Sequence, residues 1–233
     1  MKLSNITVIG LDADDTLWHN ENLFRVTESR ISDMLSIYHY PTSICDLIYR
    51  KQMDNLPLYG YGIKSFTFAL LEAAIEVSRG TISATDLQSI MNMGKEMLSA
   101  PVDLFTGVAD VLHELSPHYK LVVVTKGDLV DQERKLSDSG LSHFFHHIEI
   151  LSRKDEASYS SLLSHLDIAP ENFLMVGNSL RSDVLPVLAL GAYAIHIPYQ
   201  TTWEHEQAAP PMSENFLSIE SIRELTSLLL PRK

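Results

Sequence analysis

Asp12, Asp14 and Asp15 place three carboxylates within the four residues Asp12-Ala13-Asp14-Asp15, directly before Thr16-Leu17. Like charges so close repel one another. A divalent cation relieves that repulsion, and hard oxygen ligands suit Mg²⁺. If the chain stays extended here, Asp12 and Asp14 point the same way, because side chains alternate along a strand. Two carboxylates facing one pocket can divide labour, one attacking as nucleophile and the other moving a proton as acid and then as base. An EF-hand loop starting at Asp12 would need Gly at its sixth and Glu at its twelfth position, and those places hold Leu17 and Leu23. A receiver-type phosphoacceptor also fails, since Asp54 follows Tyr49-Arg50-Lys51-Gln52-Met53, which is not a strand. Capping of the next helix by Asp15 or Thr16 is the plain alternative use of these side chains.

The elements around this cluster alternate. Residues 6–11 read as a short buried strand that ends where the acids begin. Residues 120–124, 173–176 and 192–197 look alike, and Ile148 to Leu151 is a weaker candidate. Helical patterns fall between them at Val108 to Leu115, Leu129 to Ser139, Ser158 to Leu166 and Asp183 to Leu190. Such alternation predicts an α/β fold with a parallel sheet covered on both faces. Ligands of open α/β sheets bind beyond the carboxyl ends of the strands, which is where Asp12 falls. From about residue 19 to residue 99 the pattern changes. Leu23, Val26, Ile31, Met34, Leu35 and Tyr38 fall near one helical stripe, Phe66 to Val77 is strongly apolar, and Leu87, Ile90, Met91, Gly94 and Leu98 share a side. Roughly 80 residues are too many for a structureless loop. They read as an all-helical insertion, residues 19–99, within a core of residues 1–18 and 100–233. Residues 200–215 read as a surface loop.

The chain has 233 residues and a formal charge of −12, with 45% apolar residues. That apolar content excludes a disordered chain. The acidic balance, with no compensating Lys/Arg cluster, argues against nucleic acid as a partner. A single cysteine, Cys45, allows no intrachain disulfide framework. The first apolar run stops at Asp12, too short for a membrane span. The expectation is a soluble cytoplasmic protein, monomer or homodimer.

Asp-x-Asp-x-Thr-Leu after an apolar strand resembles the first motif of the haloacid dehalogenase-like hydrolase superfamily, most of whose members are phosphatases. The resemblance implies a Rossmann-like parallel sheet with an inserted helical cap. It implies that Asp12 is phosphorylated, and that Asp14 is the general acid/base and binds Mg²⁺ through its carbonyl. Asp15 stands where many members have Gly. The other motifs follow in the family's order. Leu121-Val122-Val123-Val124-Thr125 is similar to the second, with the Thr125 hydroxyl and the backbone N–H groups of Lys126 and Gly127 available to phosphate oxygens. Lys154 matches the third, and its ammonium would offset the charge on Asp12 and on the phosphoryl group. Lys135 competes for that place but sits mid-helix and reads as a solvated surface residue. Gly177-Asn178-Ser179-Leu180-Arg181-Ser182-Asp183 resembles the fourth, so Asp183 and Asn178 join Asp12 and Asp14 as metal ligands. Asn178 departs from the usual acid and brings an oxygen without charge.

This resemblance implies a Mg²⁺-dependent phosphatase acting on a small-molecule phosphate monoester. Dehalogenating and phosphonate-cleaving members lack the second acid of the first motif, and Asp14 is present. Two alternatives stay open: a sugar phosphomutase of the same family, and a phosphate-binding or regulatory protein without turnover. Leu58-Tyr59-Gly60-Tyr61-Gly62-Ile63-Lys64 reads as either a loop facing the pocket or an ordinary interhelix loop. Trp18 and His19 should lie near the mouth of the site or pack the hinge. His143, His146 and His147 lack the Cys or acid that would complete a zinc spacing. His196 and His205 lie near the last strand, and the Trp203-Glu204-His205-Glu206 loop reads as either a rim of the site or surface decoration.

Overall fold

The computed structural model describes residues 3–230. Six parallel strands form one sheet in the order β3-β2-β1-β4-β5-β6. They are β1 (Val8–Leu11), β2 (Lys120–Lys126), β3 (His147–Leu151), β4 (Phe173–Gly177), β5 (Tyr193–His196) and β6 (Phe216–Ser218). The chain departs from β1 toward β2 and β3 on one side, then crosses back to β4, β5 and β6 on the other. The strand order therefore reverses at β1, and a crevice opens outside its carboxyl end.

Why the strands are uninterrupted apolar runs follows from their two covered faces. Ile9, Leu11, Leu121, Val123, Leu174, Val176 and Ile195 join one buried cluster with α5 (Val108–Leu115) and α9 (Glu224–Leu229). Val8, Val122, Val124, Phe173, Met175 and Ala194 join a second cluster with α7 (Glu156–His165) and α8 (Leu185–Ala189). Successive residues of each strand thus alternate between two cores. Helix α5 shows the matching period, burying Val108, Val111, Leu112 and Leu115.

The chain separates into two compact units. The first runs through Glu21, resumes over Val102–Lys126 and continues from Gln132. The second holds Asn22–Pro101 and takes in Gly127–Asp131. Within Asn22–Pro101 the second unit is helical: α1 (Glu21–Leu35), α2 (Ile44–Tyr59), α3 (Ile63–Val77) and α4 (Ala84–Leu98). Its core joins Ile31 and Leu35, Leu47 and Ile48, Phe66, Leu70 and Ala73, and Ile90, Met93 and Met97.

Several expectations need correcting. Val26 is exposed, because Thr27 takes the inward place on α1 and returns its hydroxyl to the Leu23 carbonyl at 2.8 Å. On α4 the buried face is Ile90, Met93, Gly94 and Met97, while Met91 points outward. Leu58 and Tyr59 end α2, and Ile63 and Lys64 begin α3, so the connection is only Gly60-Tyr61-Gly62. Residues 200–215 contain a helical turn, Glu204–Glu206, whose last residue is buried. β6 gives no strand signal in the sequence because it is three residues long. Among the described residues no helix is long and apolar enough to cross a membrane.

Candidate active site

The three acids at the end of β1 do three different things. The Asp12 backbone N–H still follows the sheet, donating to the Val176 carbonyl at 2.9 Å. Its carboxylate is buried, pairs with the Lys154 ammonium and accepts from Thr16 Oγ1 at 3.1 Å. Asp15 turns the chain with φ of 59°, a left-handed conformation that Asp tolerates better than most residues. Its Oδ1 accepts the Asn20 N–H at 2.8 Å, and Oδ2 accepts that of Glu21 at 3.0 Å, so Asp15 caps the start of α1. Burial pushes its pKa up to about 8 against the pull of those two N–H groups.

Asp14 is held by side chains from two elements. Trp18 Nε1 donates to Oδ1 at 2.7 Å, and Gln132 Nε2 donates to Oδ2 at 2.8 Å. Lys135 Nζ reaches both oxygens, at 2.7 and 2.9 Å. Gln132 and Lys135 are one turn apart on α6 (Leu129–Asp138). Burial works to raise the Asp14 pKa, but the Lys135 charge and these hydrogen bonds outweigh it and hold the carboxyl below its usual range. Lys135 is therefore not a solvated surface residue. It is 7% exposed, and it was missed because nothing local marks which face of a polar helix turns inward.

Lys154 lies between β3 and α7 and bridges two acids. It donates to Asp12 and, at 2.7 Å, to Asp183 Oδ1. Burial works against its charge, yet the two carboxylates prevail and raise its pKa. Burial pushes Asp12 upward as well, with Lys154 opposing and the Asp183 charge reinforcing.

Asp183 sits on a π-helical turn, Leu180–Val184, that follows β4. Its Oδ2 accepts the Ser179 N–H at 2.9 Å. This carboxylate folds back over Gly177, where a Cβ would stand 2.3 Å from Asp183 Oδ2. Only a residue without a side chain fits there. Asn178, next in sequence, turns its amide toward the acids. Turned so that its NH₂ group faces them, it would donate to Asp12 Oδ2 at 3.2 Å and to the Asp14 carbonyl at 3.3 Å. Behind it, His196 Nε2 donates to the Asn178 carbonyl at 3.0 Å, and burial lowers the pKa of that ring.

These contacts test the fit of a divalent cation. Among the described residues no group of three His, Cys, Asp or Glu side chains has a metal-site arrangement. The oxygens that converge here are of mixed kind. A carboxylate oxygen of Asp12 and the carbonyl of Asp14 both face the end of the Asn178 amide, which meets them with its oxygen in one sense and with its NH₂ group after a half-turn. One carboxylate, one carbonyl and one amide oxygen form a hard donor set suited to Mg²⁺, which keeps several waters. Asp183 pairs with Lys154 and accepts from Ser179, so it would reach such an ion through water or by giving up Lys154.

Thr125 is buried near the end of β2, the strand beside β1. Lys126 follows, and its side chain pairs with Glu206 rather than lying open. Gly127 has φ of 138°, a conformation that L residues avoid. Trp18 is buried and contributes its indole N–H to Asp14. His19 Nδ1 lies 3.0 Å from the Tyr199 hydroxyl, and its ring packs against Phe105. In the helical unit, Lys64 pairs with both oxygens of Asp128 at 2.9 Å, and Tyr59 packs on Phe68. His147 contacts Glu149 at 2.8 Å, and His143 stacks on Phe144.

Comparison with known proteins bears on this arrangement. A family profile described as haloacid dehalogenase-like hydrolase matches residues 70–192, more than half of the chain. N-acylneuraminate-9-phosphatase of Rattus norvegicus is 25% identical over 98% of this chain and 96% of its own length. The crystal structure of a haloacid dehalogenase-like family hydrolase from Xanthomonas campestris is 35% identical. It covers 97% of this chain and 91% of its own, with a TM-score of 0.87. A putative hydrolase of the same superfamily from Bacillus subtilis, solved bound to magnesium, shares the fold at 16% identity and a TM-score of 0.69. Matched by the profile over more than half of its length and by a solved member along nearly all of it, the chain belongs to the haloacid dehalogenase-like hydrolases.

Proposed function

We propose that the protein is a Mg²⁺-dependent phosphatase acting on a small-molecule phosphate monoester. The observation that carries this reading is Asp14, a second carboxylate on the strand end of Asp12 and fixed in orientation by Trp18, Gln132 and Lys135. Phosphoryl transfer needs such a group to protonate the leaving oxygen and then to activate water.

Asp12 attacks phosphorus, its oxygen forming a new bond to phosphorus as the bond to the leaving oxygen breaks. Asp14, having taken up a proton from solvent, gives it to that oxygen. Water then attacks the aspartyl phosphate, Asp14 takes the water's proton, and inorganic phosphate leaves with Asp12 regenerated. The partners of Asp14 favour the ionised form, which is the form the second step uses. Lys154 balances charge on Asp12 and on the phosphoryl oxygens. The Thr125 hydroxyl and the N–H groups of Lys126 and Gly127 hold the remaining oxygens. Asp12, the Asp14 carbonyl, Asn178 and Asp183 would hold Mg²⁺, which would neutralise charge at the phosphoryl group. On the same reading the helical unit is the cap that selects the leaving group. The similarity to the rat N-acylneuraminate-9-phosphatase puts a phosphorylated acidic sugar in the substrate panel.

The test is hydrolysis of p-nitrophenyl phosphate and of a panel of sugar phosphates, with Mg²⁺ or with EDTA. Wild type should turn over only with Mg²⁺. Asp12→Asn should lose activity by on the order of 10⁴-fold or more, as removal of a covalent nucleophile does elsewhere. Undiminished hydrolysis by Asp12→Asn would overturn the reading.

A further inference from the structure

We propose that Glu206 is a positioning residue of this site, tying the end of β2 to the turn that carries Asn178 and Asp183. The proposal rests on the phosphatase reading for its kinetic consequences, though not for its geometry.

Glu206 belongs to the stretch that reads as a surface loop, yet it is buried. A buried carboxylate is costly unless fully paired. Here both oxygens are used. Oε1 pairs with the Lys126 ammonium. Oε2 accepts the Ser179 hydroxyl and, at 2.5 Å, the Ser182 hydroxyl. Ser182 Oγ also accepts from Lys126 Nζ at 2.8 Å. Ser179 Oγ accepts the Ser182 N–H at 3.0 Å, closing the turn from within. The Arg181 guanidinium donates to the His205 carbonyl at 2.8 Å and pins the loop from its other side.

Each partner adjoins a site residue. Lys126 follows Thr125, Ser179 follows Asn178, and Ser182 precedes Asp183. The Ser179 N–H is itself the donor to Asp183 Oδ2. A path of hydrogen bonds thus runs from Glu206 through Ser179 to Asp183, and an ion pair runs from Glu206 to the residue after Thr125. Burial alone would raise the Glu206 pKa, but Lys126 and the two serines outweigh it and hold the carboxyl down to about 2. The knot is therefore ionised at neutral pH. A buried ion pair adds little net stability over an apolar pair of the same volume. Its location between three segments of the site points to orientation instead. Groups that orient metal ligands from behind are typically worth about 10–100-fold in affinity or rate.

The experiment combines calorimetric Mg²⁺ titration, steady-state kinetics on p-nitrophenyl phosphate and thermal midpoints for wild type, Glu206→Gln, Glu206→Asp and the Lys126→Met/Glu206→Gln double variant. Glu206→Gln should weaken Mg²⁺ binding about 10-fold or more and lower kcat by about 10–100-fold, with KM moved far less. Glu206→Asp should recover part of both. The double variant removes both charges. It should regain the thermal midpoint lost by the single variant while Mg²⁺ affinity and kcat stay low. The proposal is overturned if Glu206→Gln lowers the midpoint alone, or if the double variant restores Mg²⁺ affinity and kcat together with the midpoint. It is overturned as well if wild type binds no Mg²⁺. Should wild type hydrolyse no phosphate ester while the Mg²⁺ loss in Glu206→Gln persists, the phosphatase reading falls and the positioning role stands.

Discussion

Asp14 serves the site through two different atoms. Its carbonyl faces the Asn178 amide, while its carboxylate turns to Trp18, Gln132 and Lys135. The backbone of one residue can therefore sit in a cation site while its side chain handles protons. Lys135 decides whether that side chain is aimed. In Lys135→Met, Asp14 keeps the Trp18 and Gln132 bonds but loses the donor that spans both oxygens. The expected outcome is a fall in kcat of about 10–100-fold, since small misplacements of catalytic groups cost that much. KM should change much less. A KM rise with kcat intact would instead place Lys135 in substrate binding.

Between elements, close approach sets what the sequence must contain. Gly177 lets Asp183 fold back over the end of β4, as a Cβ there would overlap the Asp183 carboxylate. In the helical unit, Gly94 on α4 meets Thr67 of α3, where a Cβ would stand 2.3 Å from Thr67 Oγ1. Thr67 cannot swing aside cheaply, because it is β-branched and its hydroxyl is bonded to the Ile63 carbonyl at 2.7 Å. Gly94→Ala gains about 1 kcal/mol of helix propensity. Overpacking of a fitted contact costs about 1–3 kcal/mol. The expected net is destabilisation, read as a lower urea midpoint with an unchanged slope. A rise in midpoint would show that α3 and α4 separate freely.

For the molecule as a whole, the reversal of strand order at β1 collects the carboxyl ends of β1, β2 and β4 around one crevice. The net charge of −12 is unfavourable for an anionic ester, yet Lys126, Lys135 and Lys154 gather at this end of the sheet. Lys154 meets two carboxylates and the others one each, so three ammoniums face four carboxylates and the ion-paired cluster stays short of one positive charge before any cation arrives. On the proposed reading Mg²⁺ binds the folded chain and not the unfolded one. Mg²⁺ at about 100 times its Kd should then add about 2.7 kcal/mol of stability, visible as a higher thermal midpoint. Asp12→Asn should flatten that response. A midpoint indifferent to Mg²⁺ would count against a cation site in this fold.

Strand β1, the acids that follow it, the apolar runs of β2 and β4, and the Gly177-to-Asp183 turn were legible in the sequence. They are local: a period, a spacing or a strand end carries the signal, and covered strands must be apolar. The helical stripes within residues 19–99 were readable for the same reason, though not which faces of α1 and α4 turn inward. What tertiary structure alone decided is long-range pairing. Lys135 reaches Asp14 across 121 positions, and Glu206 reaches Lys126 across 80. Each of those side chains, taken alone, is an ordinary surface charge in a polar stretch. Only packing removes it from water, and once removed it must find an opposite charge.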